Sequence, residues 1–303
     1  MSNESLEKRL QRLSTTAAAQ SAAKKRAELA ALHASGQLAL WPERDRGIPN
    51  ELVRCAVFAA KNRRDPRKVY RASAPLVVPV IGGGEVVYIG EELRQDDETV
   101  WMQLVHLAKE GCSEWVSFTP YSFLKAIRWP IKGASYTRLL TTIRRLTTSG
   151  IEVYSQRFDK GVSTKLIVKY EYSKNGDGPW KVQVFDKDDQ LLFLFDKLYS
   201  RVDWDIRLAL PDGVATWLHS FFSSHREPFD HKVSTLAAGA GLALAVPDGD
   251  KLDEGVLQAK RNERLREAKK TIRRALETLR GIGFLEYFEI TRNGLVHVVR
   301  AKR

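Results

Sequence analysis

A basic, amphipathic helix that ends at a glycine and passes straight into an apolar strand is encoded twice, 133 positions apart. The first copy, YTRLLTTIRRLTTSGIEVY, runs from Tyr136 to Tyr154, and the second, KKTIRRALETLRGIGFLEY, from Lys269 to Tyr287. Superposed, Leu139, Ile143, Leu146 and Gly150 fall on Ile272, Leu276, Leu279 and Gly283. The apolar positions recur at helical spacing, and each glycine is expected to serve as a left-handed helix exit. The repeat constrains the chain to two similar units, each organised around one amphipathic helix.

The segments around the two copies also repeat in order. Before the first come a strand at Trp115–Thr119 and a short helix at Pro120–Ile127; after it come strands at Ile151–Arg157, Leu166–Tyr172 and Lys181–Phe185, with KGVST and SKNGDGP as turns. The second set is a helix at Asp212–Ser223, a strand at Glu227–Lys232, a helix at Ser234–Gly241 and a loop at Ala245–Glu254. A long basic helix, Val256–Arg280, and a hairpin, Phe284–Ile290 with Leu295–Arg300, complete it. Upstream, Pro75–Gly90 reads as a hairpin around Gly82-Gly83-Gly84, and Glu91–Glu110 as a helix with Asp96-Asp97-Glu98 at its positive end. Helix, short strand, short helix, basic helix, hairpin is winged-helix order. The expected fold is α+β: an N-terminal extension over 1–48, then tandem winged-helix domains at 49–205 and 206–303. Residues 1–36, alanine-rich with few large side chains, read as a helix outside the globular body.

Charge narrows the class of partner. A net charge of +12 and a pI near 9.6, without a signal-peptide or membrane-spanning pattern, point to nucleic acid and to a cytoplasmic protein with no membrane contact. Cys55 and Cys112 lack the spacing of a disulfide scaffold or a structural zinc site. The histidines show no ligand spacing, and Asp186/Asp188/Asp189 and Asp203/Asp205 read as solvated turns. No catalytic residue, metal site or cofactor site is expected, and the chain reads as a binder.

The binding face is read from helical wheels. From Trp115 to Ile151 there is no acidic residue. With Leu139, Ile143 and Leu146 inward, Thr137, Arg138, Thr141 and Arg145 fall on the opposite face, with Lys132 just ahead of the helix. In the second copy Leu265, Ala268, Ile272, Leu276 and Leu279 form the inward stripe, and Arg266, Lys270 and Arg274 project outward beside Thr271. Guanidinium groups fork onto guanine edges or phosphates, and threonine hydroxyls reach either.

FFSSHREPF at Phe221–Phe229 and the closing LRGIGFLEYFEITRNGLVHVVRAKR are similar to the TrfA family of plasmid replication initiators. So are PNELVRCAVFAAKNRR at Pro49–Arg64 and GEELRQDDETVWMQL at Gly90–Leu104. The resemblance covers roughly residues 37–303 with a divergent middle. It implies winged-helix domains that bind direct repeats (iterons) of double-stranded origin DNA as monomers in equilibrium with dimers. It also implies opening of an AT-rich tract, a hold on single-stranded origin DNA, and recruitment of the host initiator and replicative helicase. Gln37-Leu38-Ala39-Leu40-Trp41 resembles the family's sliding-clamp peptide, so Gln37, Leu38, Leu40 and Trp41 become clamp-binding candidates. Trp41 stands where the peptide usually has phenylalanine, and the alternative is that these apolar residues pack on the first domain. The alternative function is a winged-helix transcriptional repressor.

Overall fold

The computed structural model describes residues 41–109, 115–173, 178–186, 190–195, 199–244 and 253–302. The proposed N-terminal helix, Gln37, Leu38, Leu40, Cys112, Asp188 and Asp189 lie outside them.

Strand β1 (Asp45–Pro49) leads through α1 (Asn50–Val53) and β2 (Phe58–Ala59) to β3 (Val69–Tyr70). The hairpin of β4 (Leu76–Pro79) and β5 (Glu85–Glu91) turns across Gly82, Gly83 and Gly84, all at positive φ, which only glycine adopts without strain. After β6 (Leu93–Arg94), α2 (Gln95–Ala108) carries Asp96, Asp97 and Glu98 in its first turn. β7 (Val116–Phe118) precedes α3 (Pro120–Ala126), where the Thr119 hydroxyl accepts the Ser122 N–H and Pro120 opens the helix.

The first repeated helix is α4 (Gly133–Thr148), with Leu139, Ile143 and Leu146 fully buried as the spacing requires. It runs into β8 (Gly150–Ser155), which pairs antiparallel with β9 (Lys160–Thr164). KGVST, expected as a turn, is therefore a strand. Its turn lies just before it, where the Asp159 N–H bonds the Gln156 carbonyl and Asp159 takes φ 48°. β10 (Lys169–Glu171) and β11 (Trp180–Gln183) form a second hairpin. A 3-10 turn at Gln190–Phe195 and β12 (Tyr199–Asp203) complete the first half, and α5 (Trp204–Ala209) crosses to the second.

The second half runs α6 (Val214–Ser223), β13 (His231–Lys232), α7 (Val233–Gly239), α8 (Glu254–Gly281), β14 (Leu285–Ile290) and β15 (Leu295–Arg300). The strand expected over Glu227–Lys232 shortens to its last two residues, which alone pair with β15. The expected stripe of α8 holds from Ala268 onward, but Leu265 is exposed, because the N-terminal half of the helix extends past the core.

Two sheets correspond across the halves. Their strand orders are β7–β11–β10 and β13–β15–β14, so each sets the strand before a short helix against the last strand of a later hairpin. The halves differ in the strand that leaves the long helix. β8 departs from α4 for another sheet, where Tyr88 opposes Ile151 and Val86 opposes Val153, all buried. The sequence repeat is faithful along the helix and diverges at the strand after it.

The glycines diverge too. Gly283 leaves α8 at φ 74°, the left-handed exit expected of it. α4 ends at Ser149 in extended conformation, Gly150 is not left-handed, and a Cβ there would meet nothing within 4 Å. Gly283→Ala should therefore cost about 1–2 kcal/mol, while Gly150→Ala should fall within about 1 kcal/mol of the parent. Urea titration of the two variants measures the difference.

One apolar core gathers Trp41 through Trp204, and another gathers Ile206 through Val298 with Ala60. The two are joined by buried polar contacts. Arg207 on α5 reaches Glu98 at 3.1 Å, the Gln95 carbonyl at 3.1 Å, and the hydroxyls of Thr99 and Ser220 at 3.1 and 2.7 Å. The Trp217 indole donates to the Cys55 carbonyl, and the Ala60 N–H to the Ala240 carbonyl.

Candidate nucleic-acid interface

On α4, Thr137 and Thr141 are exposed along one face, and Lys132 is exposed at its N-cap. A second cationic element meets that face. Arg63 and Arg64, in the loop between β2 and β3, line a cleft of about 470 Å³ together with Thr137, Thr141 and Arg138. The loop is shaped from below by Arg94, whose guanidinium donates to the carbonyls of Asp65 at 2.9 Å and Pro66 at 3.0 Å and to that of Asn62. Arg63 and Arg64 belong to a basic stretch visible in the sequence. Its adjacency to a helix some seventy positions later was not visible.

Beneath the cleft lies a buried ionic network. Arg145 is 8% exposed and reaches Asp97 at 2.6 Å and Glu91 at 3.1 and 3.2 Å. Arg67 binds Asp97 at 2.6 Å and Asp96 at 3.2 Å. Burial pushes the Asp97 carboxyl up, and the neighbouring Asp96 charge adds to this. Burial also raises Asp96, but Arg138 and Arg67 outweigh it and leave that carboxyl below its ordinary range. Arg145 thus lies on the floor of the cleft rather than facing outward as expected: its partners come from α2 and from the end of β5, which a wheel of α4 cannot contain. Arg138 is intermediate. It lies 3.6 Å over the Trp129 ring, bonds Asp96 at 2.8 Å and keeps an exposed edge on the cleft. Arg144, passed over by the wheel, is exposed beside Tyr170.

On α8, Arg266, Lys270 and Arg274 are exposed as expected, Thr271 is half-buried, and Arg273 joins the exposed set. Lys270 pairs with Glu267 at 2.6 Å. Lys269 donates to the Thr291 carbonyl at 3.2 Å, fixing the turn of the β14–β15 hairpin against the middle of the helix.

Trp41 does not stand free. It is 3% exposed, its ring packs on Phe195 and Tyr199, and its indole donates to His106 Nδ1 at 3.0 Å. Burial holds the His106 imidazole down at about 4, which keeps Nδ1 an acceptor. Trp41 is therefore packed in the first core, the alternative the sequence left open beside a clamp anchor. Among the described residues, no helix is long and apolar enough to cross a membrane. No group of three or more His, Cys, Asp or Glu among them is placed to hold a metal ion.

Comparison with known proteins gives this geometry a lineage. A plasmid replication initiator protein TrfA from Escherichia coli is 28% identical over 266 residues, 87% of this chain. The chain spans 64% of that relative's length. Among solved structures, domains 2 and 3 of RctB superpose with a TM-score of 0.50 at 12% identity, over 84% of this chain and 99% of that one, a likeness of fold. A second crystal structure of the same domains gives 0.49 at 12% identity, over 83% and 97%. The sequence model described as TrfA protein matches residues 3–300, and the chain belongs to that family.

Proposed function

We propose that the chain is a plasmid replication initiator that binds repeated duplex sites at an origin through two winged-helix units. These are residues 49–205, with the packed segment that precedes them, and 206–303. The observation that carries the reading is the pairing of corresponding sheets, β7–β11–β10 and β13–β15–β14, with a long helix beside each that presents an outward cationic or hydroxyl-bearing face. Membership of a family that includes a plasmid replication initiator supports the biological role.

In this reading Thr137, Thr141 and the exposed edge of Arg138 meet base edges from α4, while Arg63, Arg64, Lys132 and Arg144 hold phosphates. On α8, Arg266, Lys270, Thr271 and Arg274 do the same work, with the Thr291–Gly294 turn beside the duplex. Arg145 has no direct part. We also assign to the chain a hold on single-stranded origin DNA, contacts with the host initiator and helicase, a monomer–dimer equilibrium, and a clamp contact through Gln37, Leu38 and Leu40.

The test begins with a duplex selected from random sequence. Arg63→Ala and Arg64→Ala should each weaken binding across sequences and reduce the salt slope by about 1, as phosphate contacts do. Lys270→Ala and Arg274→Ala should cost about 1–3 kcal/mol each where they read a base. Anisotropy titrations at several salt concentrations report both quantities, and unchanged affinity in all four variants would remove the interface. An origin-only plasmid should persist in a host that supplies the chain in trans. Specific binding without such persistence would favour the transcriptional repressor.

A further inference from the structure

A groove of about 580 Å³ opens between the two halves. Its walls are the loop at Arg226–Pro228, the end of β15 from Val298 to Lys302, and Arg44 and Arg201 on the β1–β12 side. The loop belongs to the FFSSHREPF motif, to which the DNA reading gives no role. Its course is fixed from inside by tilted ring contacts, Phe229 on His231 at 4.3 Å and His225 on Phe221 at 4.9 Å. Arg54 on the first half anchors it by donating to the Ser224 hydroxyl at 2.8 Å. The Arg226 side chain is left exposed, while its carbonyl accepts the Arg300 guanidinium at 2.7 Å.

Arg300 is half-buried, and its guanidinium bonds a carbonyl rather than a carboxylate among the described residues. Burial lowers its pKa. A charge taken partly out of water in this way is stabilised by an anion. Arg201, Arg226 and Lys302 add exposed positive charge around it. The groove carries five cations, Arg44, Arg201, Arg226, Arg300 and Lys302, against three carboxylates, Asp45, Asp203 and Glu227, so its net charge is positive. The lining also holds apolar surface, from exposed Val299 and half-buried Pro228 and Ala301.

Position and chemistry together choose the occupant. Strand register sets Arg300 opposite Leu285, at the base of the hairpin. The Thr291–Gly294 turn lies six residues away, roughly 20 Å. A duplex held at that turn is therefore displaced from the groove, and a phosphate backbone would draw nothing from Val299, Pro228 or Ala301. We infer that the groove docks an acidic peptide segment with apolar anchors, carried by a protein partner. Arg226, Arg300 and Lys302 pair with its carboxylates, and its apolar side chains rest on Val299 and Pro228.

The choice of a peptide over DNA rests on the duplex position of the proposed function, and docking is tested on the full chain. The probe is a fluorescein-labelled peptide alternating aspartate with leucine and phenylalanine, with the same peptide carrying lysine for aspartate as its control. Saturable binding of the acidic peptide alone is expected, weakened at least tenfold in the R226E/K302E double variant and also in Arg300→Gln. Arg226 and Lys302 are exposed, so the double variant should melt as the parent does. Binding of the selected duplex should be unchanged in it. Absence of saturable binding, equal binding of the lysine peptide, or unchanged affinity in the variants would overturn the proposal. So would displacement of the peptide by duplex DNA with a matching loss of duplex affinity in the variants, which would mark the groove as a nucleic-acid surface.

Discussion

Arg207→Ala should lower the stability of the chain by about 3–5 kcal/mol, the usual consequence of removing one partner of a buried ion pair. Arg207 is 2% exposed and Glu98 is 1% exposed. Burial already pushes the Glu98 carboxyl up, opposed by Arg207. Without the guanidinium that carboxyl is stranded, and the Gln95 carbonyl and the Thr99 and Ser220 hydroxyls each lose a donor. The contact set also spans α2, α5 and α6, so the loss should loosen one half from the other. Denaturant titration gives the magnitude, and a second variant separates the charge effect from lost packing. E98L/R207L should recover much of the loss, because replacing both members of a buried pair removes the stranded charge. If R207A unfolds within about 1 kcal/mol of the parent, the bridge between the cores is not what holds them.

Arg145→Ala should cost about 2–4 kcal/mol, somewhat less because Asp97 keeps Arg67 at 2.6 Å and the Arg94 N–H at 2.9 Å. Its effect on DNA should track the loss of folded protein and no more. In conditions where the variant is fully folded, duplex affinity should stay within about twofold of the parent, whereas Thr141 or Arg64 variants should lose affinity without losing stability. A fully stable R145A that binds DNA tenfold more weakly would return Arg145 to the interface and contradict its burial.

The contrast shows where sequence reading succeeds and where it stops. Helix periodicity is local, so Leu139, Ile143 and Leu146 and their counterparts Ile272, Leu276 and Leu279 were legible as core positions. The faces of α8 were legible for the same reason, since its outward cations face solvent. Arg145 was not, because Asp97 and Glu91 lie 48 and 54 positions away and only the tertiary fold brings them under α4. Three adjacent acids at a helix start satisfied the helix dipole in the sequence. In the structure they also neutralise arginines from α4, α5 and the loop before β3. The glycine exits misled in a related way. A glycine follows the cap of both helices, but only Gly283 needs its freedom, since β8 leaves α4 in extended conformation and pairs with β5.

The central claim is that the outward faces of α4 and α8 meet one duplex together. With Cys55 and Cys112 replaced by alanine, single cysteines at Thr141 and at Lys270, each carrying an iron-chelate cleavage reagent, test it directly on the selected duplex. The account predicts a cleavage focus from each tether, on the same face of the duplex and about one helical turn apart. Cleavage from one tether only, or overlapping foci from both, would contradict it.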